Sequence, residues 1–175
     1  MSMKKTFLFV LTAMVVCMFT GCKQSSSNEP TEQNIYVDLG LPSGTLWKNQ
    51  NEVNPNHKFG LFTFNQAIDM YGQQLPTREQ WQELLDKCTW SWTYEGFKVV
   101  GNNKNYIIIP AEGAMDDMDK EPYGIGEDGN YWTSAPSGTR DAWAFEFEAG
   151  GKDIGIDNNL SQETYISIRL VQNVK

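Results

Sequence analysis

Residues 35–47 read Ile35-Tyr36-Val37-Asp38-Leu39-Gly40-Leu41-Pro42-Ser43-Gly44-Thr45-Leu46-Trp47, and this stretch sets the start of the folded part of the chain. Its first five residues are a β-prone run. Glycine and proline follow at once and punctuate a turn before the last two apolar residues. The stretch therefore predicts a first strand and a tight loop, with the folded domain beginning near Ile35.

The segment before this strand has the features of a targeting sequence. Lys4 and Lys5 form a basic start, and residues 6–18 form an apolar run interrupted only by Thr12. The run is too short to span a bilayer comfortably and is typical of a signal peptide. A small residue directly before Cys22 resembles the lipobox of bacterial lipoproteins.

The lipobox predicts how the chain is organised. We expect residues 1–21 to be removed as a signal peptide and Cys22 to carry lipid, which anchors the protein to the outer membrane, on its periplasmic face or at the cell surface. Residues 22–34 include three consecutive serines and predict a flexible tether. Residues 35–175 remain for one domain. The alternatives are an uncleaved N-terminal anchor or an ordinary secretory signal.

Charge and cysteine content exclude several classes of function. The chain has 22 acidic and 14 basic residues, a net charge of −8, which argues against nucleic acid as a partner. Of its three cysteines, Cys17 lies in the predicted signal peptide and Cys22 in the lipobox. Cys88 is left alone, so no intrachain disulfide is expected.

The domain pattern begins with helices and ends with strands. A Thr63 cap with Gln66 predicts a first short helix, and a Thr77 cap with Gln80 predicts a second over residues 78–88. The apolar face of the second helix is formed by Trp81, Leu84, Leu85 and Cys88. Strands are predicted where β-prone or alternating apolar residues recur, at 90–92, 97–100, 106–109, 143–148 and 165–171, and an ordered segment is predicted at 131–133. Helices early and strands late indicate an α+β fold.

Two segments resemble a known family. Residues 37–47 resemble the opening signature of the Fibrobacter succinogenes major paralogous domain, common in lipoproteins of gut-type Bacteroidetes. Residues 75–81, Leu-Pro-Thr-Arg-Glu-Gln-Trp, are similar to a helix start in formylglycine-generating enzymes, relatives of that domain. The resemblance covers nearly all of residues 36–171 but weakens over 48–60. It implies a C-type-lectin-like fold, with two helices packed on small twisted antiparallel sheets and long loops on one side.

The catalytic chemistry of the enzyme relatives is not expected here. Those enzymes bind copper through paired thiolates, whereas the domain offers only Cys88, which we expect to act as a small hydrophobe on the helix face. The only histidine, His57, lies among polar residues and is expected to be solvated. Glu146 and Glu148 share one strand face and are expected to face solvent. We therefore predict no catalytic residues.

The candidate ligand site lies in two polar, glycine-containing connections, 112–130 and 150–164, which are predicted as loops. The candidate contact residues are Asp116, Asp117, Asp119, Tyr123, Asp153, Asp157, Asn158 and Asn159. A calcium ion is one alternative for this region, because carboxylates on a loop are the ligands it requires. The calcium candidates are Asp116, Asp117, Asp119 and Glu121. The other alternative is a solvated acidic loop without cofactor.

These observations lead to one functional expectation and two alternatives. The chain is expected to be a lipoprotein with a non-enzymatic binding or adhesion domain for a glycan or protein ligand. The first alternative is an enzyme-derived domain in which a preformed apolar pocket with convergent polar groups holds a small molecule. The second is a structural envelope or surface-assembly protein, which a large exposed apolar patch would favour.

Overall fold

A computed structural model describes residues 35–116 and 121–173. The predicted signal peptide, Cys22 and the tether lie outside the described residues, as do Asp117 and Asp119. Of Asn158 only the backbone is described. Within the described ranges, no helix is long and apolar enough to cross a membrane.

The two predicted helices and a series of short strands make up the domain. The helices are α1 (Phe64–Tyr71) and α2 (Arg78–Lys87), with a 3-10 turn at Gly72–Gln74 between them. The strands are β1 (Tyr36–Asp38), β2 (Thr45–Lys48), β3 (Thr89–Thr93), β4 (Gly96–Val100), β5 (Tyr106–Pro110), β6 (Asp128–Ser137), β7 (Asp141–Glu148), β8 (Lys152–Ser161) and β9 (Val171–Asn173). They form three antiparallel sheets, β1-β2-β9, β3-β4-β5 and β6-β7-β8. The predicted α+β class is confirmed at this level.

The first strand and tight loop are confirmed. Strands β1 and β2 form an antiparallel hairpin, and Gly44 closes the loop by donating its N–H to the Leu41 carbonyl at 2.9 Å. Gly44 has φ of +73°, a left-handed conformation that glycine adopts without steric cost. Because β2 also pairs with β9, the beginning and the end of the domain meet in one sheet.

Both helices begin as the capping pattern predicts. The Thr63 hydroxyl accepts from the Gln66 N–H while the Gln66 side chain accepts from the Thr63 N–H, and Thr77 with Gln80 repeats the arrangement. Each box satisfies two N–H groups that a helix start would otherwise leave unpaired. Helix α2 ends one residue earlier than predicted, with Cys88 as its C-cap.

Two apolar clusters hold the elements together. In the first, Trp81 of α2 stacks on Phe145 with ring centroids 4.2 Å apart and lies 4.7 Å from Trp47. In the second, the Trp132 indole donates to the Phe62 carbonyl at 2.8 Å. Trp47, Trp81 and Trp132 are completely buried.

The strand predicted at 165–171 is wrong as a continuous element. Residues 165–167 form only isolated bridges, and regular pairing begins at β9, Val171–Asn173. Residues 166–171 are all buried. This segment runs through the interior and divides its hydrogen bonds among several partners, so alternating apolar residues did not mark a regular strand.

The connection predicted at 150–164 is corrected as well, because most of it is strand β8. After a turn at 149–151, β8 returns along β7 at the edge of the third sheet. The apolar alternation of this edge strand is short: Ile154 and Ile156 pack on the first apolar cluster, but the polar run Asp157-Asn158-Asn159 and the glycines beside it favoured a loop. The other predicted connection is shorter than expected, because β6 begins at Asp128.

Candidate functional site

The connection between β5 and β6 folds back on itself and lies against residues 57–61. Ala114 and Tyr123 pair across it, and the Gly126 N–H donates to the Ala111 carbonyl at 2.8 Å. Lys58 forms an ion pair with Glu121 at 2.8 Å, which joins the two segments. An ordered concave surface results between them.

A cleft of about 200 Å³ lies between these segments. Its described lining residues are Phe59, Leu61, Ala111, Glu112, Pro122 and Ile125. Glu112 is the only charged side chain among them, and the other five are apolar. Ile125 is 63% exposed, so the lining reaches the protein surface. Apolar walls with one placed polar group are typical of small-molecule sites.

The Glu112 carboxylate is fixed by hydrogen bonds from residues distant in sequence. Its Oε2 atom accepts from the Asn51 amide at 2.7 Å and from the Ser167 hydroxyl. The Asn51 amide also donates to the Tyr131 hydroxyl at 3.1 Å, and that hydroxyl donates to the Pro110 carbonyl. Burial, aided by the negative charge of Glu112, raises the pKa of Tyr131, so its phenol stays neutral.

Arg169 lies completely buried beside this network. Its guanidinium donates to the Lys48 carbonyl at 2.8 Å and to the Ile108 carbonyl at 2.6 Å. Burial lowers the pKa of Arg169, while the neighbouring Tyr131 and Glu112 oppose that shift. Arginine retains its proton in proteins, so its positive charge must be balanced from nearby. Lys48 itself pairs with Glu52, whose charge also acts on Arg169.

The sequence-based expectation for His57 is wrong, because its side chain is only 6% exposed. Its Nδ1 accepts from the Leu61 N–H at 3.1 Å, and its ring stacks on Tyr165 with centroids 4.5 Å apart. Polar neighbours did not indicate solvent for His57, because residues 54–60 form a tight loop, closed by the Asn54 N–H and the Gly60 carbonyl, that exposes Asn56 and Lys58 but turns His57 inward. Burial lowers the pKa of His57 and favours its neutral form.

Three of the predicted contact residues come together near Glu146. The Tyr123 hydroxyl donates to Asp116 at 3.3 Å, and burial together with Asp116, Glu146 and Asp128 raises the pKa of Tyr123. Burial and then Asp157 raise the pKa of Glu146. Glu146 is half-buried, in contrast to the solvent-facing position expected from the sequence, whereas Glu148 is exposed.

The remaining predicted residues do not form one described group with these. Asp153 is exposed at the start of β8, next to the β7–β8 turn, and Asn159 is exposed further along that strand. Nothing is described of the Asn158 side chain or of Asp117 and Asp119.

The calcium candidates have separate partners where they are described. Asp116 accepts from Tyr123 and, at 3.5 Å, from Thr164, while Glu121 pairs with Lys58. Within residues 35–116 and 121–173, no three histidine, cysteine or acidic side chains are arranged to hold a metal ion. Calcium binding at Asp116, Asp117, Asp119 and Glu121 stays a prediction.

Cys88 lies where its helix pattern predicts. It is half-buried at the end of α2 and packs against the first apolar cluster. Burial, with a smaller effect of Glu83, raises the pKa of the thiol to about 11. A protonated thiol is a poor nucleophile and a poor metal ligand.

Comparison with known proteins does not identify a family or a function for this chain. No family model, curated protein or solved structure matches this chain. Its function is therefore inferred from the geometry and chemistry of its own residues.

Proposed function

We propose that this chain is a lipid-anchored extracytoplasmic protein whose domain binds a small ligand without transforming it. The binding site is the cleft that residues 59 and 61 form with residues 111, 112, 122 and 125. The observation that carries this proposal is a preformed cavity of about 200 Å³ with apolar walls and one carboxylate held in place by two donors. Such a site binds with little loss of conformational entropy on the protein side.

The absence of a second reactive group favours binding over catalysis. A nucleophilic mechanism pairs a nucleophile with an activating base, and hydrolytic acid–base mechanisms commonly use two positioned groups. Glu112 is the only titratable residue among the described lining of the cleft. Its one engaged oxygen accepts from an amide and a hydroxyl, so it is not paired with a base.

The same proposal includes a C-type-lectin-like fold and the Fibrobacter succinogenes paralogous family. In support, residues 37–47 form the β1–β2 hairpin, and residues 75–81 contain the start of α2 with its capping box. Two helices, three small antiparallel sheets and the pairing of β2 with β9 fit that fold. The cleft lies beside the long connection between β5 and β6, which is described except for residues 117–120.

A variant at the mouth of the cleft tests the binding site. The full chain is screened against a small-molecule library by ligand-observed NMR, together with Ile125→Arg and Val53→Arg. Both positions are exposed apolar residues, but only Ile125 lines the cleft. Compounds that bind the natural chain should lose binding to Ile125→Arg and keep it with Val53→Arg. Equal binding to both variants would remove the cleft as the site.

Metabolic labelling tests the lipid anchor. A radiolabelled fatty acid should enter the natural protein and the Cys17→Ala variant, but not Cys22→Ala, because only Cys22 would be acylated. Incorporation that persists in Cys22→Ala would contradict the lipoprotein assignment.

A further inference from the structure

We infer that the ligand of this cleft is a small organic cation, a primary ammonium group on an apolar body about the size of one aromatic ring. This inference rests on the proposed function and specifies the class of ligand. It follows from three features of the cleft: a carboxylate with one oxygen that accepts no hydrogen bond from the described residues, the acidic composition of the connection between β5 and β6, and the size of the cleft.

The Glu112 carboxylate has unused acceptor capacity. Its Oε2 atom accepts two hydrogen bonds, but no donor among the described residues bonds to Oε1. No lysine or arginine nitrogen of the described residues lies within ion-pair distance of it. The charge of Glu112 acts on the buried Arg169, but the Nη atoms of Arg169 donate to backbone carbonyls and not to Glu112. A ligand with N–H donors would supply the missing partner.

A second acceptor lies close to Glu112. The side-chain oxygen of Asn51 is buried without a donor among the described residues, while the nitrogen of the same amide bonds to Glu112. Asn51 does not line the cleft, so the polar partner that the cleft offers a ligand is the Glu112 carboxylate, to which an N–H of a primary ammonium can donate. An anionic ligand would add a further acceptor and a repulsive charge there.

The connection that forms one side of the cleft is strongly acidic. Residues 111–127 contain six carboxylates and one lysine. Lys58 is the only lysine or arginine of the opposite segment, residues 57–61. It already forms an ion pair with Glu121, and its Nζ atom lies 4.5 Å from the centre of the Phe59 ring. Four of these carboxylates are described, at Glu112, Asp116, Glu121 and Glu127, and Glu112 is the one that lines the cleft. An excess of negative charge on the connection raises the local concentration of cations.

The dimensions of the cleft limit the rest of the ligand. An enclosed apolar cavity of about 150 Å³ holds benzene. At about 200 Å³, this cleft has room for one ring or a chain of similar volume in addition to the charged group. The apolar lining residues, which include Phe59, Leu61 and Pro122, match a hydrocarbon body.

Three probes of equal shape and different charge test the inference. The full chain in lipid nanodiscs is titrated by calorimetry with 2-phenylethylammonium, 2-phenylethanol and phenylacetate, with empty nanodiscs as the reference. We expect the ammonium to bind about tenfold or more tightly than the alcohol, because a charge-assisted hydrogen bond is stronger than a neutral one. Phenylacetate should bind most weakly.

A matched pair of variants identifies the carboxylate responsible. Glu112→Gln keeps the shape and one acceptor, and should abolish the preference for the ammonium over the alcohol. Glu127→Gln removes an exposed carboxylate of the same connection that does not line the cleft, and should keep most of that preference. Melting temperatures of both variants report whether the Glu112 substitution disturbs folding.

Substitutions at Ile125 keep the test decisive if Glu112→Gln does not fold. Ile125→Glu should tighten ammonium binding relative to the alcohol, and Ile125→Lys should weaken it, because position 125 is exposed at the mouth. Equal affinity of the natural chain for ammonium and alcohol would overturn the cation assignment and leave cleft binding intact. The separate proposal that ligands bind in the cleft is contradicted only if the library compounds still bind to Ile125→Arg.

Discussion

Two polar side chains, those of Arg169 and His57, lie in the interior of the domain. Arg169 and His57 are both nearly or fully buried, and each obtains partners from the backbone rather than from water. A buried polar group without partners would cost about 1 to 3 kcal/mol, and more if charged. Backbone groups therefore satisfy His57 Nδ1 and both Nη atoms of Arg169. His57 Nε2 and Arg169 Nε are buried without a partner among the described residues, so the compensation is partial.

His57 should make folding stability depend on pH. Because its folded-state pKa is lowered, the unfolded chain takes up the proton first as the pH falls below the usual histidine value of about 6.5. Stability should therefore be fully present above that pH and decrease as the pH falls towards the folded-state pKa. His57 is the only histidine of the chain, which isolates the effect.

The comparison variant is His57→Asn, whose side-chain oxygen can accept from the Leu61 N–H and does not titrate. It should be less stable than the natural chain at pH 7.5, because stacking on Tyr165 is lost. The difference in melting temperature should narrow between pH 6.5 and 5. A constant difference over this range would show that His57 keeps its ordinary pKa.

Residue-level reasoning from sequence succeeded where the decisive contacts are local. Cys88 was assigned correctly from its place on the helix face. His57 was not, because its ring stacks on Tyr165, far away in the chain. Glu112 was missed for the same reason, since its donors Asn51 and Ser167 are 61 and 55 residues away.

Helix α2 is the element that contributes most visibly to the core. Trp81 packs between Trp47 and Phe145 and touches the ring of Tyr131, so it links β2, β6 and β7. Its side chain is completely buried. The helix therefore depends on tertiary packing as well as on its capping box.

Trp81→Ala should lower the free energy of unfolding by about 3 to 5 kcal/mol, because it leaves a large cavity beneath α2. The control is Tyr94→Ala, which removes an aromatic ring that is 88% exposed and should change stability by about 0.5 kcal/mol or less. Urea denaturation followed by tryptophan fluorescence measures both. An unchanged midpoint for Trp81→Ala would contradict its place in the core.

Helices and strands could be predicted from the sequence where the hydrogen-bond partners that define them lie only a few residues away. Both helices carry their capping residues within three positions, so their starts could be located from sequence. Strand β8 was predicted as a loop because its partner β7 supplies the pairing, and its only short alternation, Ile154 and Ile156, is followed by a polar run. Residues 165–171 fail in the opposite way, since their alternation indicated a strand although several different segments provide their partners.

At the scale of the whole molecule, the cleft depends on how the connection between β5 and β6 is held against the sheets. The Gly113 N–H donates to the Asp128 carbonyl at 2.8 Å, and Gly113 bridges to Gly129 of β6. One residue before it is Glu112, whose carboxylate belongs to the cleft. A backbone shift at Gly113 would therefore move the binding group.

Gly113 and Gly126 form a natural pair of variants on this connection. Both have left-handed φ angles, +71° and +79°, so alanine at either position is strained by about 1 to 2 kcal/mol. A Cβ atom at Gly113 would lie 2.0 Å from the Tyr123 carbonyl oxygen, whereas at Gly126 it would meet nothing within 4 Å. Only the first substitution forces the backbone to move.

We therefore expect Gly126→Ala to lower stability by about 1 to 2 kcal/mol and to leave ammonium binding nearly unchanged. Gly113→Ala should lower stability further and weaken 2-phenylethylammonium binding about tenfold or more, because it displaces Glu112 relative to the opposite wall. Thermal denaturation and calorimetric titration of both variants measure the two effects. Equal stability and equal affinity of the two variants would contradict the close approach of Gly113 to Tyr123 and its control of the cleft.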